Sequence, residues 1–205
     1  MPDKIRVGLV SFWHSHAAPD PEVGFRGAGI YGAVQQHPDI EVIAAWDDDA
    51  DRGRVGAERL GVPFVEDLDE FLSRPDIDGV VIINETTKHV ELTKAAAAHG
   101  KHVYITKVLA PTLAEAEEGV AACDAAGVVL VTMLSRLHER WAIRTRDIIA
   151  SGELGSLISL RIWHAHGLAT KLASDGAGYL PDGHGFLTWR DGGGGAYVDM
   201  CHPQY

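Results

Sequence analysis

Three groups of residues carry side chains that could do chemistry. The first is Asp47, which closes the apolar run Val42-Ile-Ala-Ala-Trp-Asp47 and is followed by Asp48 and Asp49. A carboxylate ending the second strand of a dinucleotide-binding sheet accepts hydrogen bonds from adenosine ribose hydroxyls. Further negative charge beside it repels a 2′-phosphate, which favours NAD over NADP. The three aspartates could equally do no more than cap the next helix. The second group is Gly27-Ala-Gly29-Ile-Tyr-Gly32. It spells the G-x-G-x-x-G of a pyrophosphate-binding turn, but such a turn belongs directly after the first strand. That place holds Ser11-Phe12-Trp13-His14-Ser15-His16 instead. Either segment is therefore a candidate for the pyrophosphate, and the glycines could also be a loop entering the first helix. The third group is two H-x-H pairs, His14/His16 and His164/His166, each preceded by tryptophan. In extended chain, residues two apart share a face, so each pair could offer two imidazoles to one metal. A metal-dependent hydrolase is thus an alternative, although the chain is short for the (β/α)8 barrel such enzymes use.

The elements around these groups alternate. Ile5–Val10, Glu41–Trp46, Gly79–Ile83, His102–Thr106 and Val128–Thr132 are short, continuously apolar runs, as expected of strands covered on both faces. Helical stretches lie between them. One spans 50–60 and stops at Gly61, and an alanine-rich one runs from His89 to His99 and stops at Gly100. Another is opened by the capping box Thr112-Leu-Ala-Glu115 and ends near Gly127. The pattern predicts a doubly wound α/β sheet. It changes near residue 135, where a charged amphipathic helix (136–150) leads to an alternating run, Ser156–Trp163, that reads as a half-buried strand of another sheet. A glycine-rich stretch follows, including Gly192–Gly195.

The chain has 205 residues, 46% hydrophobic and 23% charged, which suits a globular protein with a buried core. Eighteen basic against 29 acidic residues give a net charge of −11, which argues against nucleic acid or an anionic membrane as partner. No apolar run approaches the ~20 residues of a membrane helix. The chain enters its first strand almost at once, leaving no room for a signal peptide. With only Cys123 and Cys201, no disulfide framework is expected, and the cytoplasm is the expected location.

Three further segments carry a family resemblance. Val80-Val-Ile-Ile-Asn84-Glu85-Thr86-Thr-Lys-His89 is similar to a strand, a T-P-like dipeptide and a histidine opening the next helix. Gly100-Lys-His-Val-Tyr-Ile-Thr-Lys107 resembles a G-K-H-V-x-x-E-K-P signature. Gly193-Gly-Gly-Ala-Tyr-Val-Asp199-Met-Cys-His202-Pro resembles a G-G-G-x-x-x-D-x-G-x-H segment. In this order they resemble the Gfo/Idh/MocA oxidoreductases, the family of glucose–fructose oxidoreductase and inositol 2-dehydrogenase. Gly152-Glu-Leu-Gly155 fits the crossing between domains.

The resemblance implies a Rossmann-type NAD(P)-binding domain over residues 1–134 and the start of an α+β substrate and oligomerisation domain over 135–205, incomplete where the chain stops. It implies hydride transfer between a nicotinamide and a hydroxyl or carbonyl carbon of a sugar- or cyclitol-like substrate, and a homo-oligomer formed through the C-terminal sheet. Lys107 matches the lysine that holds the substrate hydroxyl and the nicotinamide, His202 the histidine that exchanges the hydroxyl proton, and Asp199 its carboxylate partner. An imidazole suits that proton near neutral pH, and an ammonium stabilises the developing alkoxide. Ser11, Phe12, Trp13, His14, Asp47, Asn84, Thr86, His89 and Lys107 are the expected cofactor contacts; His89 could instead cap its helix. No metal site is expected on this reading. The sequence departs from the family in the missing phosphate-loop glycines, in Thr106 and Val108 beside the lysine, and in two rather than three residues between Asp199 and His202. A non-catalytic dinucleotide-binding or oligomerisation module is the second alternative.

Overall fold

The computed structural model describes residues 4–14 and 29–163. Strand β1 (Ile5–Val10) leads to helix α1 (Gly29–Gln36), then β2 (Ile40–Trp46), α2 (Ala50–Leu60) and α3 (Leu68–Ser73). Next come β3 (Gly79–Ile82), a 3₁₀ turn (Thr86–Lys88), α4 (His89–Ala98), β4 (His102–Ile105), α5 (Leu113–Ala126) and β5 (Leu130–Thr132). A second 3₁₀ turn (Ser135–His138) precedes α6 (Arg140–Ala150).

The strands form one parallel sheet in the order β2-β1-β3-β4-β5. The chain leaves β1 toward β2 on one side and returns toward β3 on the other, so the strand order reverses at β1. A crevice opens at the carboxyl ends of strands around such a reversal.

Each central strand is buried on both faces, which is why the sequence shows continuous apolar runs. On β3, Val80 and Ile82 join Phe71, Leu72, Leu92, Ala96 and Cys123 beneath the sheet. Val81 joins Leu9, Tyr31, Ala57 and Leu60 on the opposite face, as does Ile83 just beyond the strand. Helices α3, α4 and α5 cover one face, and α1 and α2 the other.

Local signals set the helix ends. Asp49 caps α2 by accepting from Asp51 N and Arg52 N, and Gly61 ends it in the left-handed conformation. Thr112 accepts from Glu115 N at the start of α5, as the capping box predicts, while its hydroxyl donates to Glu115 Oε2 at 2.6 Å. The run 156–163 has no strand pairing among the described residues and is exposed throughout. Alternating side chains permit a strand, but a strand exists only through pairing, and no described residue pairs with this run.

Candidate functional site

The reversal point brings together the ends of β1, β2 and β3. Ser11, the first residue after β1, is fully buried with φ +70°, a left-handed conformation that usually calls for glycine. It is held by its N–H donating to Trp46 O (2.8 Å), and Trp13 N donates to its hydroxyl (3.1 Å). The fully buried Tyr31 reaches in from α1, its hydroxyl within 2.7 Å of Val10 O and 2.6 Å of Ser11 O. A phenol carries one proton and donates to one of these at a time. The turn therefore takes the backbone shape of the missing glycine and is braced by a tyrosine that sequence reasoning had not assigned.

Asp47 sits just past β2 with its side chain fully buried. Oδ2 accepts from Phe12 N (2.7 Å) and Arg52 Nε (3.0 Å), and Oδ1 from Asp49 N (2.9 Å) and Arg52 Nη2 (2.6 Å). Burial pushes this carboxyl up, and the Arg52 guanidinium and the two backbone N–H groups oppose that. Four donors around two oxygens define a held carboxylate. Helix α2 approaches closely because of two glycines: a Cβ at Gly56 would lie 2.4 Å from the Phe12 ring, and one at Gly53 would lie 2.7 Å from Asp47 Cβ.

The three aspartates have separate partners. Asp49 is a helix cap, the alternative held open for all three, whereas Asp47 is not. Asp48 accepts from Arg52 Nη2 at 2.7 Å and pairs closely with Lys88 Nζ, which also donates to Glu85 Oε1 at 3.1 Å. These cations hold the Asp48 carboxyl below its usual range despite its partial burial. An ion-pair bridge thus runs from the β2–α2 turn, across the end of β1, to the turn after β3. Arg52 and Lys88 were not among the expected site residues. The signal for Arg52 is its place in the first turn of the helix after the acidic strand end; Lys88 has none, because its partner is remote in sequence.

Asn84 and Glu85, beyond β3, are buried. Asn84 Oδ1 accepts from Glu85 N (2.7 Å), while Asn84 Nδ2 and Glu85 Oε2 have no partner among the described residues. Thr86 is buried beside them. Unmet polar atoms at a carboxyl-end crevice suit a ligand rich in hydroxyl and phosphate groups.

His89 is completely buried, its Nδ1 2.6 Å from Val108 O and its Nε2 3.0 Å from Asn84 O. Burial pushes the imidazole down to about 4, against the pull of these carbonyls, and Lys107 adds a smaller push in the same direction. A neutral ring has one N–H and donates to one carbonyl at a time. Both ring nitrogens are turned to backbone, so the side chain ties the end of β3 to the turn after β4. Lys107 is half-buried two residues after the end of β4, and the Lys107–Val108 peptide is cis. Its neighbour Thr106 is buried, with its N–H donating to Ile82 O at 3.1 Å.

Trp13 is half-buried and His14 buried, with their rings 6.1 Å apart. In the G-x-G-x-x-G segment Gly29 opens α1 and Gly32 is buried within it. Gly27, Ala28, His16, His164, His166, Asp199 and His202 lie outside the described residues. Among the described residues no group of three or more His, Cys, Asp or Glu side chains could hold a metal, and of the two H-x-H pairs only His14 lies among them. No described helix is long and apolar enough to cross a membrane.

A parallel sheet reversing at β1, with acid, amide and cation side chains gathered at that reversal, defines a Rossmann-type dinucleotide-binding fold. The chain belongs to the Gfo/Idh/MocA family: the family model described as an oxidoreductase family with an NAD-binding Rossmann fold matches residues 23–134. A 1,5-anhydro-D-fructose reductase of Ensifer adhaerens is 39% identical over 127 residues, 61% of this chain and 38% of that protein. A 3-ketoreductase of Actinomadura kijaniata, solved with NADP and TDP-benzene, superposes with TM-score 0.59 at 27% identity over 73% of this chain and 43% of its own. The WlbA dehydrogenase of Bordetella pertussis, solved with NADH and UDP-GlcNAcA, has the same fold, with TM-score 0.62 at 22% identity over 75% and 42%. The chain thus spans about two fifths of these proteins. Both NADH and NADP occur among them.

Proposed function

We propose that this chain is the cofactor-binding part, with the beginning of the substrate part, of an NAD-dependent oxidoreductase acting on a hydroxyl or carbonyl carbon of a small sugar- or cyclitol-like molecule. The observation that carries the reading is Lys107, standing after β4 on the same carboxyl edge as the Asp47 centre. The Ser11-Phe12-Trp13-His14 turn, Asp47, Asn84 and Thr86 would hold the dinucleotide, and the unmet Asn84 and Glu85 atoms suit such a ligand. A bound nicotinamide supplies the hydride acceptor or donor. Lys107 orients the substrate oxygen and stabilises negative charge as its proton leaves. His202, paired with Asp199, takes that proton in oxidation and returns it in reduction. His89 acts from behind, fixing the turn that carries Lys107. Residues 135–205 begin the substrate domain, through whose sheet copies of the chain pair.

Titration with NADH, followed by nicotinamide fluorescence, tests the reading. Saturable binding below millimolar is expected, and no binding at millimolar cofactor would overturn it. Lys107→Ala is expected to abolish oxidation of polyol substrates while leaving the melting curve close to unchanged; undiminished turnover would remove the role given to Lys107.

A further inference from the structure

The bridge at the crevice bears on how a cofactor comes and goes, an inference that rests on the cofactor reading. We propose that the Lys88–Asp48 ion pair is a clasp across the mouth of the crevice, which parts to let the dinucleotide in or out and closes again behind it.

Lys88 lies in the turn between β3 and α4, and Asp48 in the turn between β2 and α2. These turns flank the end of β1, where the strand order reverses and where a dinucleotide crosses a sheet of this kind. Lys88 Nζ is against Asp48 Oδ2, and among the described residues this is the one hydrogen bond that joins the two turns. The two side chains are 41% and 27% exposed, so the pair stands at the surface of the crevice. On the same turn as Lys88, Asn84 Nδ2 and Glu85 Oε2 are buried and have no partner among the described residues. A ligand reaches atoms enclosed in this way only when something that encloses them moves.

The pair is built to part. Each partner has a second bond on its own side of the crevice. Lys88 Nζ donates to Glu85 Oε1 at 3.1 Å, three residues earlier, and Asp48 Oδ1 accepts from Arg52 Nη2 at 2.7 Å, four residues later. Opening therefore strands neither charge, and it breaks a single ion pair between partly exposed groups, which is worth little. The flexible four-carbon stem of lysine suits such a movement. Asp47 is the contrast: its side chain is fully buried and four donors hold it, so that centre stays in place while the clasp moves. A clasp acts on the passage of the ligand and not on its grip. Closing equally over the filled and the unfilled crevice, it slows entry and release by the same factor and leaves affinity nearly unchanged. A residue that only bound the cofactor would change release and affinity together.

Stopped-flow mixing of the 205-residue chain with NADH, and displacement of the bound NADH by excess NAD, read the two rates through nicotinamide fluorescence without turnover. Lys88→Met is expected to raise both rates about three- to fivefold and to change the dissociation constant less than about twofold. Asp48→Asn should do the same, and the double variant should be no faster than either single one, since one pair is lost in all three. Salt at about 1 M should quicken release from the unaltered chain and not from the variants. Melting curves show whether each variant is folded, and Lys88→Gln serves if the methionine variant is not. The proposal is overturned if release alone quickens and affinity falls with it, or if the two single effects multiply in the double variant. If the unaltered chain does not bind NADH at millimolar concentration, the cofactor reading falls and the clasp with it. If NADH binds and the variants exchange it at the unaltered rates, only the clasp falls.

Discussion

Lys101 and Lys107 belong to one signature segment, yet they stand at opposite edges of the sheet and have opposite surroundings. At the amino edge, Lys101 is buried and its ammonium donates to Arg74 O at 2.7 Å and Ile77 O at 2.8 Å. Burial pulls that ammonium down, and Asp78 and Asp76 counter it. Nearby, Arg6 closes a bidentate pair with Asp78 at the start of β1. At the carboxyl edge, Lys107 is half-buried, and the same edge carries the Asn84 and Glu85 atoms that have no partner among the described residues, and the Asp48 bridge. Among the described residues, the Lys101 ammonium at the amino edge is paired within the protein, whereas Asn84 Nδ2 and Glu85 Oε2 at the carboxyl edge are not. Unmatched buried polar groups cost stability, so they persist where a ligand repays them.

This contrast can be broken by mutation. The largest effect is expected at Asp47, where the carboxyl edge behaves most like the amino edge. Asp47→Ala leaves the Phe12 and Asp49 N–H groups and half of Arg52 unmatched. It should cost about 3 kcal/mol in urea unfolding, together with most of the NADH affinity. The two lysines come next. Lys101→Met strands two carbonyls and should cost about 2 kcal/mol, with NADH affinity unmoved. Lys107→Met should do the reverse, holding stability while losing turnover. If the two variants behave alike, the division between the edges is wrong.

His89 gives a smaller, pH-dependent effect. Its imidazole is held down to about 4 by burial, so the unfolded chain binds a proton before the folded one does. The stabilisation is therefore fully present above an ordinary histidine pKa and is lost as pH falls from there toward about 4. Unfolding at neutral pH and near pH 4 should differ by on the order of 2 kcal/mol through this group. His89→Gln, which cannot titrate, should flatten that part of the profile. The smallest effect belongs to the amino edge. The Arg6 guanidinium holds the Asp78 carboxyl down to about 2, so its contribution is complete above the ordinary carboxylate range and is lost as pH falls through about 2. Both partners are over a third exposed, so Asp78→Asn should remove less than about 1 kcal/mol from the acid limb of the melting curve.

Much of the fold was legible because its signals are local. Five apolar runs became the five strands, and Thr112-Glu115, Gly61 and Gly127 marked helix ends through caps that depend on a few adjacent residues. The site was less legible, since its groups meet through the sheet. Asp47 could be placed at a strand end, but its partners Phe12 and Arg52 could not be assigned. The sequence marks His89 as a cofactor contact or a cap, and only the structure shows its ring joining two backbone segments. Tyr31 lay within the glycine-rich segment, with nothing to mark it as the brace for Ser11. The run 156–163 alternates like a strand, and alternation alone does not supply a partner.

The sequence by itself determined the alternation of strands and helices, the helix ends, the acidic residue closing β2 and the membership of the family, because each rests on the order of neighbouring residues or on a recognisable motif. The tertiary structure decided the strand order, the opposite fates of Lys101 and Lys107, the enclosure of His89 and the bridge from Arg52 through Asp48 to Lys88. Those depend on which strand ends become neighbours, and on what burial makes each charge pair with once water is gone.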